Sequence, residues 1–243
     1  MAERRSRPRS GLTREKILDA AIAYVDEHGP AALSTRKLGT VLGVEGMTLY
    51  YYVPNKDALL DGMVERILLA ATAEGDGGAD SRAGDEDGDT RPWPEMVRGV
   101  ATRLRAALRD HPGMLSIVAT RPATSPVALR ILEDGLSALC DQDVPLDLAM
   151  DVLNAAMTFT IGHTLAEVGL TPGTESGTES DADSDESAGP GPEEAQSQPH
   201  LAEALATGAG LDFDSRFTRT LDMIVDGYAA LAAGRQAEPK GDR

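Results

Sequence analysis

The 243-residue sequence predicts an all-α fold, and three observations lead to that prediction. Apolar residues recur every three or four positions, as on one face of an amphipathic helix, in each segment rich enough in them to form a core. Residues typical of helix ends flank these segments, and prolines divide the middle of the chain. No segment alternates between apolar and polar residues as a half-buried strand does.

Capping residues indicate where the N-terminal helices begin and end. Thr13, Ser34 and Asn55 each precede a periodic segment and carry a side-chain oxygen that can cap a helix N-terminus. Gly43 stands where a left-handed C-terminal cap belongs. In the middle of the chain, Pro112, Pro122 and Pro126 predict separate helices. The expected helices there are one that ends before His111, then residues 114–120, 127–139 and 147–168.

The net charge of −17 is concentrated in two segments that lack large apolar side chains. Residues 74–90 hold seven acidic residues and one arginine, and residues 171–199 hold eight acidic residues and no base. Such segments bury too little surface to offset the entropy of ordering, so we expect linkers there. The predicted organisation is a basic flexible arm (1–11), an N-terminal helical domain (12–73), an acidic linker (74–91), the first part of a C-terminal helical domain (92–170), an acidic disordered loop (171–199), the last helices of that domain (200–234) and a tail (235–243).

Several function classes are excluded by motifs that the sequence lacks. There is no apolar run long enough to span a membrane and no apolar segment behind the basic N-terminus, which predicts a cytoplasmic protein without a membrane partner. The single cysteine, Cys140, cannot form an internal disulfide. Nucleophile, phosphate-loop and metal-ligand motifs are missing, so we expect no enzyme activity, no cofactor and no metal.

Residues 33–60 carry the functional signal. A helix from Ser34 to residue 42, a turn at Gly43, and a second short helix over residues 46–51 have the spacing of a helix-turn-helix. Leu38, Val41 and Leu42 are expected to face inward on the first helix and Leu49 on the second. The outward face of the second helix would then be free to enter a major groove.

Three successive tyrosines, Tyr50, Tyr51 and Tyr52, are unusual because exposed aromatic side chains reduce solubility unless a partner covers them. One interpretation is a folded-back core. The interpretation we prefer is a surface for DNA, where tyrosine hydroxyls contact phosphates and rings contact thymine methyl groups or sugars. Lys56, beside the Asn55 cap, adds a cation at a helix N-terminus.

The segment resembles the DNA-binding domain of the TetR family of bacterial transcriptional regulators. The resemblance rests on Thr-Arg-Lys-Leu (35–38), Leu-Gly-Val (42–44), Thr-Leu-Tyr (48–50) and Asn-Lys-x-x-Leu-Leu (55–60). Thr-Arg-Pro (120–122) and Phe-Thr-Ile-Gly (159–162) extend it to the C-terminal domain of the tetracycline repressors. It implies an N-terminal helix-turn-helix three-helix domain and a C-terminal helical domain for dimerisation and ligand binding.

The resemblance also implies a homodimer that binds double-stranded, palindromic operator DNA as a repressor. Arg36 matches a position that reads guanine, and Thr35, Thr48, Tyr50 and Lys56 match phosphate contacts. Gly46 and Met47 replace the family's base-reading residues, so the operator should differ. The predicted DNA-binding residues are Thr35, Arg36, Gly46, Met47, Thr48, Tyr50, Tyr51, Tyr52 and Lys56.

The expected effector is a small hydrophobic or aromatic molecule other than tetracycline. Ile117 falls where the tetracycline repressors have a magnesium-binding histidine, and an isoleucine cannot ligate a metal. The candidate ligand-binding residues are Trp93, Met96, Val100, Leu104, Met114, Ile117, Leu132, Gly135, Met157, Phe159 and His163. Helical spacing alone would also place most of them in a packed core, and His163 could be an interior histidine.

Two other functions stay open at this point. The chain could be a constitutive or partner-regulated DNA-binding protein whose C-terminal core is filled and whose last helices serve only dimerisation. It could also be a helical interaction bundle that does not bind DNA.

Overall fold

The computed structural model describes residues 11–73, 91–169, 198–208 and 212–237, and within them it contains helices and no strand. The all-α prediction is therefore confirmed. The predicted basic arm and the two predicted acidic segments lie almost entirely outside the described residues. The helices are α1 (Arg14–His28), α2 (Thr35–Val41), α3 (Gly46–Leu49), α4 (Lys56–Thr72), α5 (Trp93–Asp110), α6 (Leu115–Thr120), α7 (Pro126–Cys140), α8 (Leu146–Val168), α9 (Pro199–Thr207) and α10 (Phe213–Ala237), with single 3-10 turns at Pro30–Ala32 and Pro112–Met114.

The predicted caps form at the N-termini of the first, second and fourth helices. The side chains of Thr13, Ser34 and Asn55 accept hydrogen bonds from the backbone N–H three residues further on, at 3.3, 3.3 and 2.8 Å. These bonds satisfy N–H groups that have no partner inside the helix. The sequence therefore determines locally where α1, α2 and α4 begin.

Helices α1 and α4 pack against each other, and α2 and α3 pack on the same core. Two ion pairs join α1 and α4, Arg14 with Glu65 at 2.8 Å and Arg66 with Asp19 at 2.6 Å. The core between them includes Leu38 and Leu49, and it continues without a break to residues of α5, α6 and α7. The helix-turn-helix thus rests on a frame shared with the rest of the chain.

A close backbone contact joins α1 to the 3-10 turn that follows α5. A Cβ atom placed on Gly113 would lie 2.5 Å from the carbonyl oxygen of Val25, so only glycine fits without movement. The Asp26 carboxylate accepts a hydrogen bond from the Gly113 N–H at 3.0 Å and contacts His111 Nδ1 at 2.8 Å. Residues 11–73 are therefore fixed to the segment between α5 and α6 at a second place.

A second core lies among α5, α7, α8 and α10. The N-terminus of α5 is capped from a distance by Gln142, in the turn after α7. Its side-chain oxygen accepts from the Trp93 N–H at 2.7 Å, and its amide nitrogen donates to the Arg91 and Ala138 carbonyls at 3.1 and 3.3 Å. This cap fixes the start of α5 against α7.

Two details of the predicted helices were wrong. Val41 is 57% exposed rather than inward. On α2 the inward face is centred between Leu38, Gly39 and Leu42, and the 100° step per residue turns Val41 away from it. The helix expected to begin at Asp147 begins one residue earlier, at Leu146, directly after Pro145 at the N-cap position.

Candidate nucleic-acid interface and ligand cavity

Helices α2 and α3 cross at a contact that requires glycine. A Cβ atom on Gly39 would lie 2.9 Å from both the Gly46 nitrogen and the Val44 carbonyl oxygen. Gly43 adopts a positive φ of 66°, which L-residues with a side chain seldom do, and so turns the chain between the helices. Because α3 is held against α2 in this way, its other face is left uncovered.

The predicted DNA-binding residues lie on that uncovered face and next to it. Met47 is 71% and Tyr51 is 89% exposed, and no residue of the set is buried. The folded-back core considered for the tyrosines is therefore wrong. Exposed members are Arg36, Met47, Tyr50, Tyr51, Tyr52 and Lys56, and half-buried members are Thr35, Gly46 and Thr48.

A side-chain contact links the two helices at this surface. The hydroxyl groups of Thr35 and Tyr50 lie 3.4 Å apart, which holds the tyrosine ring beside the N-terminus of α2. Lys56 is the first residue of α4, directly after the Asn55 cap. Hydroxyl groups, a lysine and helix N-termini in this arrangement provide the donors that phosphate groups accept from.

The structure also contains a partly open cavity of about 260 Å³ among α4, α5, α7 and α8. Its walls are largely apolar. Of the predicted ligand-binding residues, six line it: Met96, Val100, Leu104, Leu132, Gly135 and Met157.

Five predicted ligand-binding residues lie away from this cavity. Met114 and Ile117 belong to the core shared with the DNA-binding part, and Trp93 belongs to the second core. Phe159 and His163 pack with the aromatic residues of α10. All five satisfy helical periodicity, but periodicity does not tell which neighbour an inward side chain meets.

Leu68, Thr72 and Asn154 line the cavity and were not in the predicted set. Leu68 and Thr72 belong to the C-terminal end of α4, whose other end lies beside the candidate DNA surface. Asn154 could have been noticed, because it is a polar residue within a predominantly apolar helix. The cavity therefore shares a wall with the helix that supports α3.

A charged contact ties the regulatory part to the first turns of α4. Arg121, just after α6, donates to the Asp61 carboxylate at 2.7 and 3.1 Å and to the Asp57 carboxylate at 3.3 Å. The pKa of Arg121 is raised above its ordinary value, chiefly by the hydrogen bond to Asp61. These bonds connect the C-terminal end of α6 directly to the first turns of α4.

His163 is buried in an aromatic cluster, and neither of its ring nitrogens has a hydrogen-bond partner among the described residues. The centroid of its ring lies 5.3 to 5.6 Å from the ring centroids of Phe159, Phe213 and Phe217. Burial lowers the pKa of His163 below its ordinary value, and Arg105 lowers it further. The protonated form of the imidazole is therefore disfavoured in the folded protein.

Among the described residues, no group of three or more histidine, cysteine, aspartate or glutamate side chains is arranged to hold a metal ion. None of the described helices is long and apolar enough to cross a membrane.

An uncovered second helix on a helix-turn-helix, carried by a larger helical domain, defines the class of helix-turn-helix transcriptional regulators. Two family models match this chain: "Bacterial regulatory proteins, tetR family" over residues 17–63, and "Tetracyclin repressor-like, C-terminal domain" over residues 85–232. The chain belongs to the TetR family of transcriptional regulators. Members of that family are regulators rather than enzymes.

Relatives are similar over most of their length. An HTH-type transcriptional regulator of Saccharopolyspora erythraea is 29% identical over 95% of this chain and 90% of its own. The class A tetracycline repressor of Escherichia coli is 32% identical over 88% of each chain. The structure of ActR from Streptomyces coelicolor in complex with actinorhodin has 25% identity and a TM-score of 0.64, covering 92% of this chain and 99% of that one.

Proposed function

We propose that this protein is a ligand-responsive repressor that binds a palindromic operator as a homodimer and is released by a small hydrophobic effector. The observation that carries the proposal is the position of α4. Its first residue, Lys56, lies beside the candidate DNA surface, and Leu68 and Thr72 near its other end line the cavity. Seventeen residues of helix span about 25 Å, so one rigid element connects the two sites.

An occupant of the cavity would act on operator binding by changing the tilt of α4. The two recognition helices of a dimer must match successive major grooves, about 34 Å apart, so a small tilt misplaces them. A ligand that prefers the tilted state by about 3 kcal/mol would lower operator affinity roughly a hundredfold. The contact of Arg121 with Asp57 and Asp61 gives α6 a further connection to the same helix.

The cavity favours this proposal over a constitutive DNA-binding protein with a filled core. A filled core would leave no space among α4, α5, α7 and α8, whereas about 260 Å³ is open there. Similar regulators support the same view, because ActR has been solved with actinorhodin bound.

Dimerisation through α8 and α10 is supported by glycines that the single chain does not explain. Gly227 lies between Met223 and Leu231 at four-residue spacing, and all three are exposed. A Cβ atom on Gly162 of α8 or on Gly227 would meet nothing within 4 Å. Glycine inside a helix costs about 0.5–1 kcal/mol relative to alanine, a cost that close approach of a second copy would explain.

The dimer is tested by the effect of Gly227→Arg on sedimentation. The variant should sediment as a monomer at micromolar concentration, because the arginine occupies the space that the second copy needs. Gly99→Arg on α5 is the control for loss of a helical glycine and should leave the dimer intact. A Gly227→Arg protein that remains dimeric would exclude this face.

Operator binding is tested by fluorescence anisotropy with duplexes that cover the DNA upstream of the protein's own gene. Binding should weaken steeply with salt, as phosphate contacts require. Loss of a bidentate base contact in Arg36→Ala should weaken binding by about tenfold to a hundredfold. Arg130→Ala, an exposed arginine on α7, removes the same charge and should have little effect.

The reading surface itself is tested by the double variant Arg36→Ala/Tyr50→Ala. Unchanged operator binding in that variant would remove the assignment of α2 and α3 as the DNA-binding surface.

A further inference from the structure

The cavity wall is apolar and uncharged, and this limits what it can hold. Among the described residues that line it, none is a lysine, arginine, histidine, aspartate or glutamate. Besides the Met96 sulfur, which already accepts from Gln142, the polar side-chain groups at the wall are those of Thr72 and Asn154. A charged group placed here would lose its water without gaining a counter-ion.

The two polar side chains differ in what they can still offer. The Thr72 hydroxyl donates back to the carbonyls of Leu68 and Leu69, at 3.2 and 3.3 Å, so its proton is already used. The Asn154 amide has no hydrogen-bond partner among the described residues, and it can both donate and accept. Because Asn154 is exposed and also lines the cavity, it lies where the cavity opens.

The size of the cavity sets the size of its occupant. An apolar cavity of about 150 Å³ in another protein holds benzene, and sites for drug-sized molecules begin at about 300 Å³. A cavity of about 260 Å³ lies between them, which suits a molecule of about two fused rings. There is open space beside Gly135, because a Cβ atom there would meet Leu153 alone, at an ordinary 3.4 Å.

We propose that the cavity binds an uncharged molecule of about two fused rings that carries one hydroxyl or carbonyl group, and that the Asn154 amide hydrogen-bonds that group. The inference rests on the proposed function in placing the effector in this cavity. It adds the charge, the size and the polar contact of the ligand, and it excludes carboxylates and metal chelates.

Three probes of the same skeleton test the charge and the polar contact with the full-length protein. They are 2-naphthol, naphthalene and 2-naphthoate, and their dissociation constants are measured by fluorescence titration and by the rise in melting temperature. The neutral 2-naphthol should bind, and 2-naphthoate should bind at least tenfold more weakly. Binding of 2-naphthoate within tenfold of 2-naphthol, or no binding of 2-naphthol at its solubility limit, would overturn the proposal.

The role of Asn154 is tested with Asn154→Leu and the control Ser137→Ala, an exposed polar residue of α7 that does not line the cavity. The ratio of the naphthalene and 2-naphthol dissociation constants is compared between each variant and the unmodified protein. The difference in hydrophobicity between the probes is the same in both proteins, so it cancels in this comparison. That ratio should shift by about fivefold against 2-naphthol in Asn154→Leu, as expected for one hydrogen bond, and stay unchanged in Ser137→Ala. An unchanged ratio in Asn154→Leu overturns the assignment of this residue.

The cavity as the site is tested with Gly135→Leu, which puts a side chain into the open space. The variant should keep its helical circular dichroism and its melting temperature without ligand, since leucine forms helix better than glycine. It should bind 2-naphthol at least tenfold more weakly, and undiminished binding would place the probe elsewhere. Operator binding without probe is measured in parallel, so a failed ligand assignment is distinguished from a failed assignment as a DNA-binding regulator.

Discussion

Replacing Gly113 with alanine tests the contact that fixes the DNA-binding part to the regulatory part. The added Cβ would lie 2.5 Å from the Val25 carbonyl oxygen and 2.8 Å from the Asp26 nitrogen. Both are backbone atoms of α1, so no side-chain rotation can make room. The 3-10 turn and α1 must move apart by about 1 Å to restore ordinary van der Waals separation.

The expected cost follows from two terms. Overpacking that displaces backbone costs about 1–3 kcal/mol, and weakening the Asp26–Gly113 hydrogen bond adds about 1 kcal/mol. We therefore expect Gly113→Ala to lower the free energy of unfolding by about 2–4 kcal/mol. The helix-turn-helix itself makes no contact that this substitution removes.

Urea unfolding followed by circular dichroism, at a fixed protein concentration, measures the effect. Gly99→Ala on α5 is the matched control, because its Cβ would meet only the Arg103 guanidinium, a side chain that can move, and it should change the free energy of unfolding by less than about 1 kcal/mol. If Gly113→Ala unfolded within about 0.5 kcal/mol of the unmodified protein, the close contact could not be what fixes the two parts together.

Three other predictions follow from contacts described above. His163→Phe should reduce the stability lost between pH 7.5 and 5.5. The fold lowers the pKa of His163, so the unfolded chain, whose histidine titrates near pH 6.5, binds more protons than the folded protein as the pH falls below that value, and stability is lost. Equal urea midpoint shifts in both proteins would contradict this. Arg121→Gln should leave operator affinity without effector nearly unchanged. It should reduce the coupling free energy between effector binding and operator binding by about 0.5–2 kcal/mol, measured by anisotropy with and without ligand. An unchanged coupling free energy would show that the Asp61 contact contributes nothing to it. Gln142→Ala should lower the free energy of unfolding by about 1–2 kcal/mol through loss of the α5 cap, and a change below 0.5 kcal/mol in urea unfolding would refute that role.

Most helix ends could be predicted from the sequence because their causes are local. Thr13, Ser34 and Asn55 act on backbone groups three residues away, and Gly43 needs only its own positive φ. The cap of α5 could not be predicted in this way. It comes from Gln142, which is 49 residues away from Trp93 in sequence.

The two candidate sites differed in how far the sequence could define them. The candidate DNA surface lies on a short local unit. Leu38 and Leu49 are the buried residues of α2 and α3, so helical spacing from them predicts which positions of α3 are exposed. The cavity lies among four helices that are distant in sequence. Periodicity identified inward residues such as Met114 and Ile117 but could not tell which inward face borders the open space, and it gave no reason to include α4.

The position of Leu68 and Thr72 in the cavity wall has a practical consequence for building hybrid regulators. A hybrid that exchanges the first 73 residues for those of a related protein would replace part of the effector cavity along with the operator preference. An exchange that ends before Lys56 would leave every described residue of the cavity wall unchanged. It would also have to preserve the partners of Glu65 and Arg66, namely Arg14 and Asp19, for the transplanted segment to sit correctly on α4.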